Sequence, residues 1–165
     1  MELETNRLIL RKFRENDINE AAEYLKDIEV MKYIEKPFTN KETKDFIRKY
    51  GINNTHLIYA LYEKNERKVI GHIIFHSFDS SDTYELGWII GREYWGKGYC
   101  IEISKAVIEY GFNKMNLKKI IAETVKENKN SVALIKKLGL IEEKCVNKDY
   151  NDELIVFSIK SPYEN

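Results

Sequence analysis

A run spaced by glycines, Tyr94-Trp95-Gly96-Lys97-Gly98-Tyr99-Cys100, is where the sequence points most directly to chemistry. It joins an extended apolar segment, Leu86 to Ile90, to a segment with helical spacing, Tyr99 to Met115. A turn at such a junction leaves the first backbone N–H groups of the helix without intrahelical partners and adds the positive end of the helix dipole. The chemistry this suits is phosphate binding, and glycine at 96 and 98 removes Cβ atoms that would hold a phosphate away. A nucleotide-hydrolysing P-loop is disfavoured, because Gly98-Tyr99 is not followed by Lys-Ser/Thr.

Glu85 lies on the extended segment that leads into this turn. If Asp79 to Asp82 is a simple four-residue turn, His76 faces Glu85 across two strands. An imidazole there could tune the carboxylate; the plain alternative is an exposed cross-strand pair. His56 and His72 read as ordinary strand residues. Cys100 sits where a helix N-terminus would lower a thiol pKa, yet no histidine lies nearby in sequence to activate it as a nucleophile. The only other cysteine is Cys145, and the two lack metal-like spacing, so no metal site and no disulfide scaffold are expected.

The elements that must position these residues follow from periodicity. Arg7 to Phe13 reads as a first strand, and Asp17 as the cap of a helix with apolar positions at Ile18, Ala21, Ala22, Leu25 and Ile28. Val30 to Ile34 suggests a short second helix, and Thr39 with Glu42 a capping box opening a third, to about Tyr50. After a polar break at 53–55, strands are expected at His56 to Glu63, Val69 to Phe78 and Thr83 to Ile90. The helix after the glycine turn buries Ile103, Val107 and Tyr110, with Ile101 a further candidate. Lys119 to Val125 is another strand. Asn130 or Ser131 then caps a helix through Leu138 that stops at Gly139. Cys145-Val146 and Leu154 to Ile159 supply a closing hairpin around Asn151-Asp152. This order implies a mixed α/β (α+β) fold: one sheet with helices on its faces, largely antiparallel before the glycine turn.

Bulk numbers narrow the class. At 165 residues, a single domain over 1–165 is expected, with 43% apolar and 33% charged residues marking a globular protein. Basic and acidic residues balance at 27 each, so no bulk field favours nucleic acid or an anionic membrane. Locally, residues 114–137 carry seven lysines against two glutamates, which suits an anionic ligand or a solvated surface equally. Met1-Glu2-Leu3-Glu4 has no signal-peptide character and no stretch approaches the roughly 20 apolar residues of a membrane span. A cytoplasmic protein is expected.

Taken in order, these residues resemble the GNAT superfamily of N-acetyltransferases, and within it the branch similar to ribosomal-protein-alanine acetyltransferases. The resemblance runs through Thr5-Asn6-Arg7-Leu8-Ile9-Leu10-Arg11, Tyr33-Ile34 with Pro37-Phe38-Thr39, Glu85-Leu86-Gly87-Trp88-Ile89-Ile90, Trp95 to Cys100, and Glu127-Asn128-Lys129-Asn130-Ser131 with Lys137-Leu138-Gly139-Leu140. It covers nearly the whole chain. In the family's loop pattern, Arg/Gln-x-x-Gly-x-Gly/Ala, Trp95 fills the first position, Gly98 the fourth and Cys100 the last. Cys100 for Gly or Ala and Leu140 for Phe are departures.

The resemblance implies an acetyl-CoA-dependent acyltransferase that moves an acetyl group to a primary amine by direct transfer. It implies that Trp95, Gly96, Lys97, Gly98, Tyr99 and Cys100 hold the coenzyme diphosphate. Trp88, Ile89 and Ile90 would present backbone groups to the pantetheine arm, in a gap where the central sheet splays. Asn128 would contact the cofactor, and Ser131 would protonate the leaving thiolate or simply cap a helix. Ile135 stands where many members carry a tyrosine acid; Tyr99 or another tyrosine could replace it. Because an alkylammonium has a pKa near ~10, a base is needed, and Glu85, acting directly or through water, is the best candidate. Lys97, Lys126 and Lys129 either neutralise coenzyme phosphates or are simply solvated. The acceptor would be a protein N-terminal α-amine or a small-molecule amine. The alternative is a catalytically idle acyl-CoA-binding sensor. A homodimer would be unsurprising, though no residue argues for one.

Overall fold

The central strands are covered on both faces. In β4 (Lys68–Phe78) and β5 (Ser80–Ile90), residues alternate between two helical layers. The computed structural model describes residues 1–53, 56–143 and 154–163, and among these it forms eight strands. Besides β4 and β5 they are β1 (Leu3–Glu4), β2 (Leu8–Arg11), β3 (Ile58–Glu63), β6 (Lys119–Val125), β7 (Ile141–Glu142) and β8 (Leu154–Lys160). Their spatial order is β1-β2-β3-β4-β5-β6-β8-β7, antiparallel throughout except for the parallel pair β5–β6.

One face is covered by α1 (Ile18–Leu25), α2 (Ile28–Met31) and α3 (Asn40–Ile47), whose Ala21, Leu25, Met31 and Ile47 pack with Ala60, Val69 and Ile89. The other face is covered by α4 (Tyr99–Asn113), whose Ile103 and Val107 meet Ile73, Phe75, Leu86 and Ile120. Beside it, α5 (Lys129–Lys137) buries Ile135 against Ala122 and Phe157. This is the mixed sheet with helices on both faces that the sequence implies.

The decisive feature is where β5 and β6 part. They stay in register only at Thr83↔Lys119, Tyr84↔Ile120 and Glu85↔Ile121. Beyond those pairs β5 continues along β4, to Gly71↔Ile90, while β6 continues along β8, to Val125↔Leu154. The facing edges therefore separate after Glu85, and the sheet is splayed as expected.

Local expectations are met unevenly. Thr39 and Glu42 form the capping box that opens α3, and Gly139 ends α5 with φ +89°. Asp17 does not cap α1 with its side chain; it lies buried against the Arg11 guanidinium at 2.7 and 3.0 Å and accepts from the Arg14 N–H. The second helix begins earlier than expected, at Ile28, capped by Asp27. His56 precedes β3 with φ 38° rather than lying in it. The turn after β4 is tighter than four residues, Phe78 pairing with Ser80 around Asp79 at φ 56°, yet the register beyond it leaves His76 opposite Glu85. β7 forms at Ile141–Glu142, pairing with β8; Cys145-Val146 and the turn at Asn151-Asp152 lie outside the described residues. No helix among the described residues is long and apolar enough to cross a membrane.

Candidate active site

The gap opened by the splay is continuous with a cleft of about 670 Å³. Its walls come from four elements: the end of β5, the glycine loop, the start of α5, and the segment around α2. Of the expected cofactor residues, Trp88, Ile89, Ile90, Trp95, Gly96, Gly98, Tyr99, Cys100, Asn128 and Ser131 all line it; Lys97 does not.

The loop adopts its shape through left-handed residues. Gly96 has φ +74° and Gly98, the residue before α4, has φ +80°, conformations that residues with a Cβ adopt at a cost. A Cβ at Gly96 would meet nothing within 4 Å, so that side of the loop is open to an incoming group. Within α4, Glu102 N–H is the first to bond back, to Gly98 O at 3.1 Å. The N–H groups of Tyr99, Cys100 and Ile101 precede that bond and sit at the helix N-terminus beside the cleft. The residues present therefore fit a diphosphate, by an open glycine cradle and a helix end. Trp95 adds a brace: its indole N–H donates to Ile90 O at 2.8 Å, tying the loop to the end of β5. That bond uses the Ile90 carbonyl, leaving Trp88 as the freer part of the edge, because backbone groups alternate in direction and Ile89 pairs with His72 on β4.

Two of the three candidate lysines take the solvated alternative. Lys126 and Lys129 are exposed and away from the cleft walls, and the Lys97 ammonium lies 5.1 Å from the Tyr94 ring. Lys32 and Lys137, which sequence reasoning missed, do line the cleft. Lys118 and Lys119 pair with Asp82 and Glu143, so the lysine-rich stretch is partly neutralised.

At α5 the cap is Asn128. Its side chain accepts from the Ser131 N–H at 3.2 Å, which makes Ser131 the third helical residue and removes it from the capping role. The Ser131 side chain is left to the cleft. Ile135 is fully buried beneath α5. Tyr99 does not replace the missing acid: its ring lies under the Arg7 guanidinium at 4.4 Å, and burial and the Glu63 carboxylate raise its pKa.

Cys100 departs from expectation too. Burial pushes its thiol up to about 12, outweighing the helix terminus. Cys100→Ala should therefore keep the site's activity within about twofold of the unmodified protein; a total loss would make the cysteine a nucleophile.

Glu85 is not on the cleft wall but at the point where the strands part. Its Oε2 is 3.5 Å from His76 Nε2, and both side chains are mostly buried. His76 Nδ1 sits 3.0 Å from Ser77 O. Sequence reasoning missed the third member of this group, Glu123. Ile121 pairs with Glu85, and Glu123 is two residues further along β6, so it shares that face. Its Oε1 is buried without a hydrogen-bond partner among the described residues. Burial first, then the Glu85 and Asp79 carboxylates, raise its pKa. The available signal was that Glu123 is the one charged residue in the run 120–125. Together these groups can hold a cation and accept a proton beside the cleft. Among the described residues no group of three or more His, Cys, Asp and Glu side chains could hold a metal ion.

Comparison with known proteins bears on this site. The sequence model of the Acetyltransferase (GNAT) domain matches residues 7–141. The uncharacterized N-acetyltransferase YnaD of Bacillus subtilis (strain 168) is 39% identical over 153 residues, spanning 90% of this chain and 89% of that protein. The [ribosomal protein uS5]-alanine N-acetyltransferase of Escherichia coli (strain K12) is 26% identical over 162 residues, spanning 90% and 81%. The crystal structure of a GNAT-family acetyltransferase from Bacillus anthracis superposes with a TM-score of 0.86 at 33% identity, covering 97% of this chain and 98% of that one.

Proposed function

Because the chain belongs to the GNAT acetyltransferase family, whose acyl donor is acetyl-CoA, we propose that it transfers an acetyl group directly to a primary amine in the cleft beside Glu85 and Glu123. The observation that carries this reading is the separation of β5 and β6 after the Glu85↔Ile121 pair. Among the described residues it leaves Leu86 to Ile90 without a strand on one side, and an extended ligand can take up such backbone groups as an added strand would. The pantetheine arm runs there, and the diphosphate rests on the backbone of Gly96 through Cys100. Acetyl-CoA supplies an activated acetyl thioester and a thiolate leaving group.

The chain's own residues supply the rest. An alkylammonium with a pKa near ~10 must lose a proton before it can attack. Glu85 and Glu123 attract the ammonium form and take that proton, directly or through water. A carboxyl raised by burial, as Glu123 is, is better matched to that task at neutral pH. The Ser131 hydroxyl, on the opposite wall, is the proton donor for the thiolate. With the Cys100 thiol at about 12, an acylated cysteine has little thiolate to start from.

The acceptor is a protein N-terminal α-amine or a small cationic amine. Thiol release from acetyl-CoA, measured with polyamines, amino acids, aminoglycosides and N-terminal peptides, tests the proposal. Acceptor-dependent release is expected for at least one class. Tight CoA binding with no acceptor-dependent release from any of them would instead make the protein an acyl-CoA sensor.

A further inference from the structure

The N-terminal motif Thr5-Asn6-Arg7 has no part in the chemistry above, yet its Thr5 and Arg7 side chains reach the glycine loop and the first turn of α4. Arg7 Nη1 donates to Lys97 O at 2.9 Å, and Arg7 Nε to Glu102 Oε2 at 2.7 Å. Glu102 Oε1 also accepts from the Arg7 backbone N–H at 2.9 Å and from the Thr5 hydroxyl at 2.6 Å. The same guanidinium lies over the Tyr99 ring at 4.4 Å, and a Cβ at Gly98 would meet Arg7 Nη2 at 3.6 Å. Arg7 thus holds the loop at Lys97, which does not line the cleft, and beside Gly98, while Gly96 keeps its open face.

We infer that Arg7 is a positioning residue for the acyl donor: it fixes the Lys97–Gly98 peptide so that the Gly98 N–H points at the diphosphate. In a trans peptide the carbonyl and the following N–H point in opposite directions. Holding Lys97 O therefore turns the Gly98 N–H toward the cleft, which Gly98 lines. Flanked by glycines at φ +74° and +80°, this peptide has little else to stop it from flipping. Arg7 does a second thing. Glu102 is an anion in the first turn of α4, close to where another anion would bind, and the guanidinium neutralises it. Thr5, the Arg7 N–H and the guanidinium lower the Glu102 pKa despite its burial, so it stays paired at working pH.

The inference rests on the reading that the loop holds the CoA diphosphate, and the two are tested apart. The probes are acetyl-CoA and S-acetylpantetheine, which lacks the diphosphate. For the unmodified protein, KM should be at least tenfold lower for acetyl-CoA; equal values would overturn the diphosphate reading and this inference with it. In Arg7→Met, KM for acetyl-CoA should rise about tenfold, the worth of one well-placed hydrogen bond. KM for S-acetylpantetheine and kcat with either donor should stay within twofold. Arg7→Lys guards against simple misfolding. One ammonium keeps the charge beside Glu102 but lacks the fork that serves a carboxylate and a carbonyl together. Its melting temperature should match that of the unmodified protein while its KM for acetyl-CoA rises as in Arg7→Met. Equal losses for both donors in Arg7→Met, or an unchanged KM for acetyl-CoA in Arg7→Lys, would overturn the inference.

Discussion

Changing Glu85 to Gln should slow acetyl transfer at pH 7 by about a hundredfold or more, the usual worth of a general base. Glutamine keeps the shape and the contact with His76 but cannot take a proton. The loss should shrink as pH rises toward 10, where a growing share of the amine loses its proton to solvent. That recovery distinguishes a base from a residue that merely shapes the site. Glu123→Gln should behave similarly, and the double variant should be scarcely slower than the worse single one, because coupled groups lose their function together. Steady-state kcat from pH 6 to 10, with acceptor saturating, is the measurement. Full activity of Glu85→Gln at neutral pH would remove it from the mechanism.

The second large effect is on stability. His72 on β4 is fully buried among Phe13, Tyr24 and Phe46, with Nδ1 2.9 Å from the Tyr24 hydroxyl and Nε2 without a partner among the described residues. Burial pushes its pKa down to about 3, against an ordinary 6.5. The folded protein therefore refuses a proton that the unfolded chain accepts. Above pH 6.5 the residue makes no pH-dependent contribution; as pH falls from 6.5 toward 3 it progressively favours unfolding. One pKa unit is worth 1.36 kcal/mol, so the loss is about 2 kcal/mol by pH 5 and about 3 by pH 4. Tyr24→Phe/His72→Leu removes both polar partners at once, which in a buried site can be nearly neutral. Urea unfolding should find that variant close to the unmodified protein at pH 7 and more stable by about 2 kcal/mol at pH 5. Identical pH slopes would assign the acid sensitivity to other groups.

His72 also illustrates what a sequence withholds. The histidine lies in a strand, as its neighbours indicate, but its burial comes from α1 and α3, which pack onto it from more than twenty positions away in the chain. Glu123 is the same case on the other half of the sheet. A lone glutamate in a strand reads as solvent-facing until parallel pairing brings Glu85 beside it. Signals that act locally survived well. Lys119–Val125 forms a strand over its expected bounds, Gly139 stops its helix, and the glycine loop and both its flanks fall where periodicity put them. The capping error at α5 was a local ambiguity, since Asn128, Asn130 and Ser131 are all competent caps. The exit from β6 decides among them, with Asn128 N–H bonding Val125 O at 3.1 Å. Arg7 was visible as part of a motif, but its role was not, because the Lys97 carbonyl it holds is ninety residues away.

The three paired positions between β5 and β6 make the sheet two blades joined by a short seam. Trp88 to Cys100 belong to one blade, Asn128 and Ser131 to the other. A donor that touches both acts as a rivet across the seam, in addition to α4 behind it. Binding that bridges the blades adds to the free energy of unfolding in proportion to RT ln(1 + [L]/Kd). A donor bound in that way would tie the protein's resistance to heat to its own supply.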